Sequence, residues 1–195
     1  MRTTSPALWF PLVILSAVAC GGGGGAAPGA TTAPSTSAGT TDPSLPKPAA
    51  KHESDKVTWK KDASPKSCHT GAKGGDLVAN VTGMANACFD TKKMHQLGTP
   101  TQGEGSKDKM VQQIPLKAQA NHCYRIVGLA ESTVTDFDIA VMDSAGKSCG
   151  EDVLDSNDAV VLEDGVICFK QDDTVNVNVA VASGQGKWAV EIWSD

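Results

Sequence analysis

Aromatic side chains are scarce in this chain: one Tyr, four Phe and four Trp among 195 residues. Any core must therefore be built mainly from aliphatic side chains, and each ring matters individually. Basic residues are outnumbered, 17 Lys and Arg against 22 Asp and Glu, giving a formal net charge of -5. With no Lys/Arg cluster the chain lacks the concentrated positive charge that phosphate neutralisation requires, which excludes nucleic acid as a partner. Beyond residue 20 no apolar run approaches the ~18 residues of a membrane-spanning helix. Histidine occurs only at His52, His69, His95 and His122. Gly146-Lys147-Ser148-Cys149-Gly150 spells G-x-S-x-G, but that nucleophile elbow needs a later acid and a later His, and no His follows Ser148. The same glycine and lysine imitate the end of a phosphate-binding loop, whose first glycine would have to stand at Val141. Both strings read as a turn, and no internal repeat is convincing.

What is present begins at the N-terminus. Arg2 is followed by an apolar run from Leu8 to Ala19, then by Ala17-Val18-Ala19-Cys20 and the glycines 21–25. This is the layout of a secretory signal, too short to serve as a permanent membrane span. A cysteine at the cut point resembles the lipobox of bacterial lipoproteins, with Ala17 where that family usually has Leu. The resemblance implies that Cys20 becomes the lipidated first residue, carrying palmitate-type acyl chains that attach the chain to a membrane. It further implies an extracytoplasmic lipoprotein of the outer membrane or cell surface. Ala17-x-Ala19 equally fits an ordinary secreted protein with an unmodified Cys20, cut at the same bond.

Residues 21–56 are Gly, Ala, Pro, Ser and Thr with almost no large apolar side chain. Such a tract cannot bury enough surface to offset the entropy of ordering, so a disordered linker is expected. Its ~36 residues would average roughly 30–35 Å end to end. The expected organisation is a signal peptide at 1–19, a lipid-anchored linker at 20–56 and one folded domain at 57–195.

Cysteines stand at 20, 68, 88, 123, 149 and 168. Outside the cytoplasm they read as disulfides before metal ligands. With Cys20 lipidated, five remain, for two bridges and one thiol in several possible connectivities. Cys149 with Cys168 is the favoured pair, because they flank the arms of a β excursion. Cys68-His69 and His122-Cys123 offer two Cys/His pairs of the zinc-ligand type, but neighbours on a strand point to opposite faces.

After a polar, turn-rich stretch at 57–75 anchored by Trp59, the only helical period appears. Leu77, Val78, Val81, Met84, Ala85, Cys88 and Phe89 share one face of a 3.6-residue repeat. Asp76 suits the N-cap, Lys92, Lys93 and His95 suit the C-terminal dipole, and Gly98 suits the C′ position, so a helix over about 76–96 is predicted. Its stripe should pack on the sheet that follows. Asn80-Val81-Thr82 on this helix matches the glycosylation string by chance.

From residue 110 the period becomes two. The runs 174–182, 136–142 and 187–193 alternate apolar with polar, and 122–129 and 166–170 are rich in β-branched and aromatic residues. Turn signals separate them at 143–146, 163–165, 171–173 and 183–186. Short strands at roughly ten-residue spacing over about 110–193 predict a mainly β fold, an antiparallel jelly-roll-like β-sandwich with one preceding α-helix, behind a disordered linker.

The order Asp136-Phe137-Asp138-Ile139, then Asp143-Ser144-Ala145-Gly146, then Ser183-Gly184-Gln185-Gly186 before Trp188 and the last strand resembles the bacterial pre-peptidase C-terminal domain. The likeness spans residues 110–193, with Ile139 for the usual Leu and Trp188 for the usual Tyr. It implies an accessory or binding sandwich without catalysis of its own, since no peptidase domain accompanies it here.

Several residues are candidates for chemistry. Asp136, Asp138, Asp143, Glu151, Asp152, Asp155 and Asp158 gather near one end of the expected sandwich. Extracellular modules bind calcium weakly from loop carboxylates, and Asp136 and Asp138 share one strand face, so they are the first calcium ligands to consider. Solvated turn residues are the competing reading, and no other cofactor is indicated. Trp59, Trp188 and Trp193 are possible stacking platforms for sugar rings. Trp188 alternates with Val190 and Ile192 and belongs in the core; Trp193, out of phase with them, is the surface ligand-binding candidate. The expected function is a tethered binding or interaction module without catalysis, whose partner is an envelope protein or polysaccharide. A hydrolase with a nonstandard site and a purely structural lipoprotein are the alternatives.

Overall fold

The alternating segments form antiparallel strands in two sheets that share one long strand. The computed structural model describes residues 52–61, 68, 75–90, 93–109 and 111–195. The expected signal segment, Cys20 and the linker as far as residue 51 lie outside the described residues. In chain order the elements are β1 (Val57–Lys61), α1 (Leu77–Cys88), β2 (His95–Gln96), β3 (Thr101–Ser106), β4 (Gln112–Ala118), β5 (Cys123–Ala130), β6 (Val134–Met142), β7 (Ser148–Glu151), β8 (Asp158–Val160), β9 (Gly165–Phe169) and β10 (Asp173–Ser194).

β10 organises the whole. Its first half lies between β4 and β6, with β7 beyond β6, and these form one sheet. Its second half lies between β3 and β5, with β9 and then β1 beyond β5, and these form the other. β2 adds to the end of β10, and β8 extends the far side of β5. Every strand pairing among the described residues is antiparallel, and the strands form a mainly β sandwich with one helix, as the alternation predicts.

The predicted turn at 183–186 is not a turn. The chain stays extended there and passes from one sheet to the other through register shifts around Ser183 and Gly184. A bulge of this kind bends a strand without ending it. Gly184 makes it possible: its φ is +87°, and a side chain there would collide with the carbonyl of Thr133. The Gly/Ser signal was real, but the constraint behind it is a strand corner.

The main core lies between the sheets. Val175, Val177, Val179 and Val181 of β10, with Phe137, Ile139 and Val141 beside them on β6, face Ile126, Ile167, Trp188 and Val190 of the other sheet. The helix supplies a second layer. Val81, Met84, Ala85, Cys88 and Phe89 pack on Val127, Leu129, Ala189 and Trp193, which project from the opposite face of β5 and β10. β5 is consequently buried along its entire length. Each large aliphatic or aromatic side chain so covered contributes about 1.5–3 kcal/mol, so the helical stripe is a substantial part of the fold.

α1 starts where predicted, with the Asp76 side chain accepting from the Val78 amide at 3.0 Å. It stops at Cys88, well short of 96. The apolar stripe itself ends at Phe89, and Asp90 beyond it is exposed. His95 and Gln96 instead pair with Ser194 and Trp193.

Two further elements escaped the sequence pattern. β3, Thr101-Gln102-Gly103-Glu104-Gly105-Ser106, carries no apolar side chain, yet pairs along β10. Its glycines are needed because a Cβ at Gly103 or Gly105 would run into Trp188 or Val181 of the strand it covers. β1 and the residues before it belong to the folded domain, although 52–56 have the composition of the linker.

The cysteines also pair differently from expectation. Cys123 and Cys168 form a bridge between β5 and β9, where they stand opposite one another in register. Cys68 and Cys88 form a second, fastening the end of α1. The expected Cys149–Cys168 bridge does not exist. Cys149 lies on β7 in the other sheet, a free thiol at 0 % exposure, while Cys168 has a directly facing neighbour within disulfide reach.

Candidate functional site

The segment 52–61 forms a strap across the side of the sandwich where β7 ends one sheet and β9 borders the other. The amides of Glu53 and Ser54 both donate to the Ser148 carbonyl on β7, at 2.8 and 3.0 Å. Five residue pairs, from Val57 with Phe169 to Lys61 with Gly165, then join β1 to β9. Trp59 ties the two together by donating its indole N–H to the Cys149 carbonyl at 2.7 Å.

Two carboxylates latch the strap. Asp143, only 2 % exposed, accepts from the Ser54 hydroxyl at 2.7 Å and from the amides of Ala145 and Lys147 at 2.8 and 2.9 Å. Burial works to raise its pKa, but the Ser54 hydroxyl and the two amides prevail and hold it below the usual carboxylate range. Asp173 behaves alike. Burial opposes ionisation, and bonds to Ser144 and Lys56 outweigh it. The Lys56 ammonium lies 3.0 Å from Asp173 and 2.6 Å from the Ser144 hydroxyl, and its hydrogen bond to Asp173 raises its pKa. Behind the latch, burial pushes the Cys149 thiol up to about 11. Burial and the raised pKa both favour the neutral thiol over the reactive thiolate.

The acidic residues that looked like a cluster are dispersed. Asp143 serves the strap, and Asp152 accepts from the Val160 amide at 3.3 Å. Asp136 and Asp138 do share the outer face of β6, alternating with the buried Phe137 and Ile139. Among the described residues, no group of three or more His, Cys, Asp or Glu side chains comes together to hold a metal. Cys68 and Cys123, halves of the two Cys/His pairs considered for zinc, are both in disulfides.

Trp193 is not a surface platform. It is 7 % exposed, meets Phe89 edge-to-face at 5.9 Å and donates its indole N–H to Glu191 at 3.0 Å. Its strand phase does turn it away from the core between the sheets. That opposite face is covered by α1. Glu191 is itself buried and also accepts from the Thr82 hydroxyl of α1. Arg125, equally buried, lies on the same sheet face with its guanidinium carbon 5.0 Å from the Phe89 ring centre.

Ser148, of the G-x-S-x-G string, begins β7 rather than sitting in a turn or elbow, and its carbonyl receives the strap.

Surface cavities open at two places among the described residues. One, of about 310 Å³, lies beside the β10 bulge, among Glu104, Lys109, Glu131, Thr133 and Gln185. Its charged groups have partners: Glu131 accepts from the Lys187 amide, and Glu104 faces Lys109 at 3.8 Å. The other, of about 350 Å³, is lined by Trp59, Lys60, Lys61, Leu162, Asp164 and Gly165, where β1 meets the turn between β8 and β9. It joins an apolar wall to exposed charges of both signs, the composition expected of a small-ligand site. The alternation Val57-Thr58-Trp59-Lys60-Lys61 was the available signal for it, hidden by the polar residues on either side. No protein-family model and no curated protein matches this chain.

Proposed function

We propose that the chain is an extracytoplasmic lipoprotein in which acyl chains on Cys20 anchor a β-sandwich that acts as a non-catalytic binding module. The observation that carries this reading is the disposition of the other cysteines. Four are joined in two bridges inside the domain, and the fifth, Cys149, is sealed in the core with its pKa raised to about 11. Cys20 therefore has no intrachain partner to take, and acylation is the fate that the lipobox-like sequence supplies.

The strap adds mechanical sense. Any pull arriving through the linker acts first on residues 52–61, where Asp143, Asp173 and a five-pair strand interface resist it. The likeness to the pre-peptidase C-terminal domain supports an accessory role for the sandwich in the same way. An envelope polysaccharide or protein would then be met at a distance from the lipid head groups.

Intact-mass analysis of the protein from its native membrane fraction, with thiol alkylation, tests the reading. The expected result is a diacylglyceryl-plus-acyl mass on Cys20, one alkylated cysteine after denaturation without reduction, and five after reduction. An unmodified or disulfide-linked Cys20 would overturn it.

A further inference from the structure

We infer that the Cys123–Cys168 bridge is a redox switch, opened by a dithiol through attack at Cys168, that controls how firmly the β1–β9 ribbon holds the strap to the domain. It is independent of what the sandwich binds and of how Cys20 is modified.

The bridge joins directly facing residues of β5 and β9 on the outer face of their sheet. The next facing pair, Tyr124 and Ile167, points the other way, into the core between the sheets. The two sulfurs are not equivalent. Lys60 lies on the opposite face of β1 from Trp59, and its ammonium stands 3.8 Å from the Cys123 sulfur. Lys60 is exposed, and Cys123 and Cys168 keep 6 % and 4 % exposure. A positive charge so close favours the thiolate, and the sulfur that bears negative charge more readily leaves faster. Cys123 is therefore the leaving sulfur and Cys168 the one attacked. A thiolate of the dithiol bonds to the Cys168 sulfur as the S–S bond breaks, and the electron pair goes to Cys123 beside the Lys60 ammonium. The second thiolate of the dithiol then displaces Cys168 and closes a disulfide of its own. The dithiol loses two electrons and two protons, and Cys123 and Cys168 end as thiols.

A second, independent observation is the seam that the bridge crosses. β9 meets β5 through two facing pairs, Cys123 with Cys168 and Tyr124 with Ile167. Two backbone bonds between Phe169 and residues 121–122, at 2.8 and 3.0 Å, extend that contact. On its other side β9 carries all five pairs of β1. The β1–β9 ribbon is thus paired more extensively within itself than with the sheet it borders, and the bridge is a covalent tie across the weaker seam. Segments paired in this way open as a unit. Reduction removes the tie and lets the ribbon part from β5 more often, and the strap is part of that ribbon.

The test uses the mature full-length chain in detergent, treated briefly with mercaptoethanol, quenched in acid and mapped by peptic digestion and mass spectrometry. The mixed disulfide is expected on Cys168 about threefold more often than on Cys123. Lys60→Ala should even out the two adducts and slow the opening of this bridge by dithiothreitol about threefold, and Lys60→Arg should restore both. Lys60 is exposed, so neither variant should move the melting temperature. Equal adducts in the wild type, an excess on Cys123, or opening of Lys60→Ala at the wild-type rate would overturn the assignment of the leaving sulfur. Hydrogen exchange tests the ribbon in Cys123→Ser/Cys168→Ser. There the amides of 57–61 and 165–169 should exchange about tenfold faster than those of Val175–Val181, a gap that the bridged chain lacks. The same gap in both chains, or none in the variant, would overturn the release. None of these outcomes touches the anchoring at Cys20, which stands or falls on its mass.

Discussion

Removing the Asp143 carboxylate should loosen the strap by an amount that the structure specifies. Three donors converge on it: the Ser54 hydroxyl at 2.7 Å and the amides of Ala145 and Lys147 at 2.8 and 2.9 Å. Ala145 and Lys147 are exposed, so their amides recover water when the acceptor is gone. Ser54 is 1 % exposed and has no such recourse. A hydrogen bond to a charged group nets about 1.5–3 kcal/mol, and stranding a buried hydroxyl costs about 1–3 kcal/mol. Asp143→Ala should therefore destabilise by about 3 kcal/mol. Asp143→Asn keeps an acceptor for the turn amides and should cost about 1 kcal/mol.

The assay is urea unfolding of the mature chain across a pH series, with Ser54→Ala and the double variant completing a thermodynamic cycle. The pH dependence has a definite sign. Asp143 and Asp173 have folded-state pKa values below those of free carboxylates. The stability they contribute is complete above the unfolded-state value of about 4 and is lost as pH falls through their lower folded-state values. The gap between wild type and Asp143→Asn should thus close in strong acid. A loss under about 0.5 kcal/mol for Asp143→Ala, or a wild-type advantage over Asp143→Asn undiminished at about pH 2, would refute the latch.

Three other outcomes are expected. Gly83→Ala, on the exposed face of α1 with open space around its missing Cβ, should stabilise by about 1 kcal/mol and raise the melting temperature. Trp193→Phe should cost about 1–3 kcal/mol in urea unfolding, because it deprives the buried Glu191 carboxylate of a donor; a surface platform would tolerate the change. Replacing Cys123 and Cys168 together by Ser opens a loop of 45 residues, which chain entropy values at about 4 kcal/mol, and the loss should match that produced by selective reduction of the same bridge.

Much of the sandwich is legible in the sequence because a strand with one dry face must alternate. Val175, Val177, Val179 and Val181 announce their own burial, and the stripe from Val81 to Phe89 announces a helix lying on a sheet. These are local periodicities, and local geometry suffices to turn them into faces. Trp193 marks where that logic stops. Alternation gave its side of β10 correctly, but whether that side meets water depends on a helix more than a hundred residues earlier. The cysteine pairing fails for the same reason, since Cys123 finds Cys168 through strand order and Cys149 lies in the other sheet.

The strap and the Trp59 cavity belong to the tertiary structure entirely. Ser54 and Lys56 have the composition of a linker, and only the arrival of Asp143 and Asp173, from positions 89 and 117 residues further along, orders them. β3 is a strand without a single apolar side chain, formed because β10 offers an unpaired backbone edge and its glycines fit beneath Trp188. The sequence by itself therefore determined which residues avoid water and in what local geometry, since that depends on side chains a few positions apart. Pairing, layering and the assembly of charged groups at one surface required the fold, because each depends on segments that only long-range chain closure brings together.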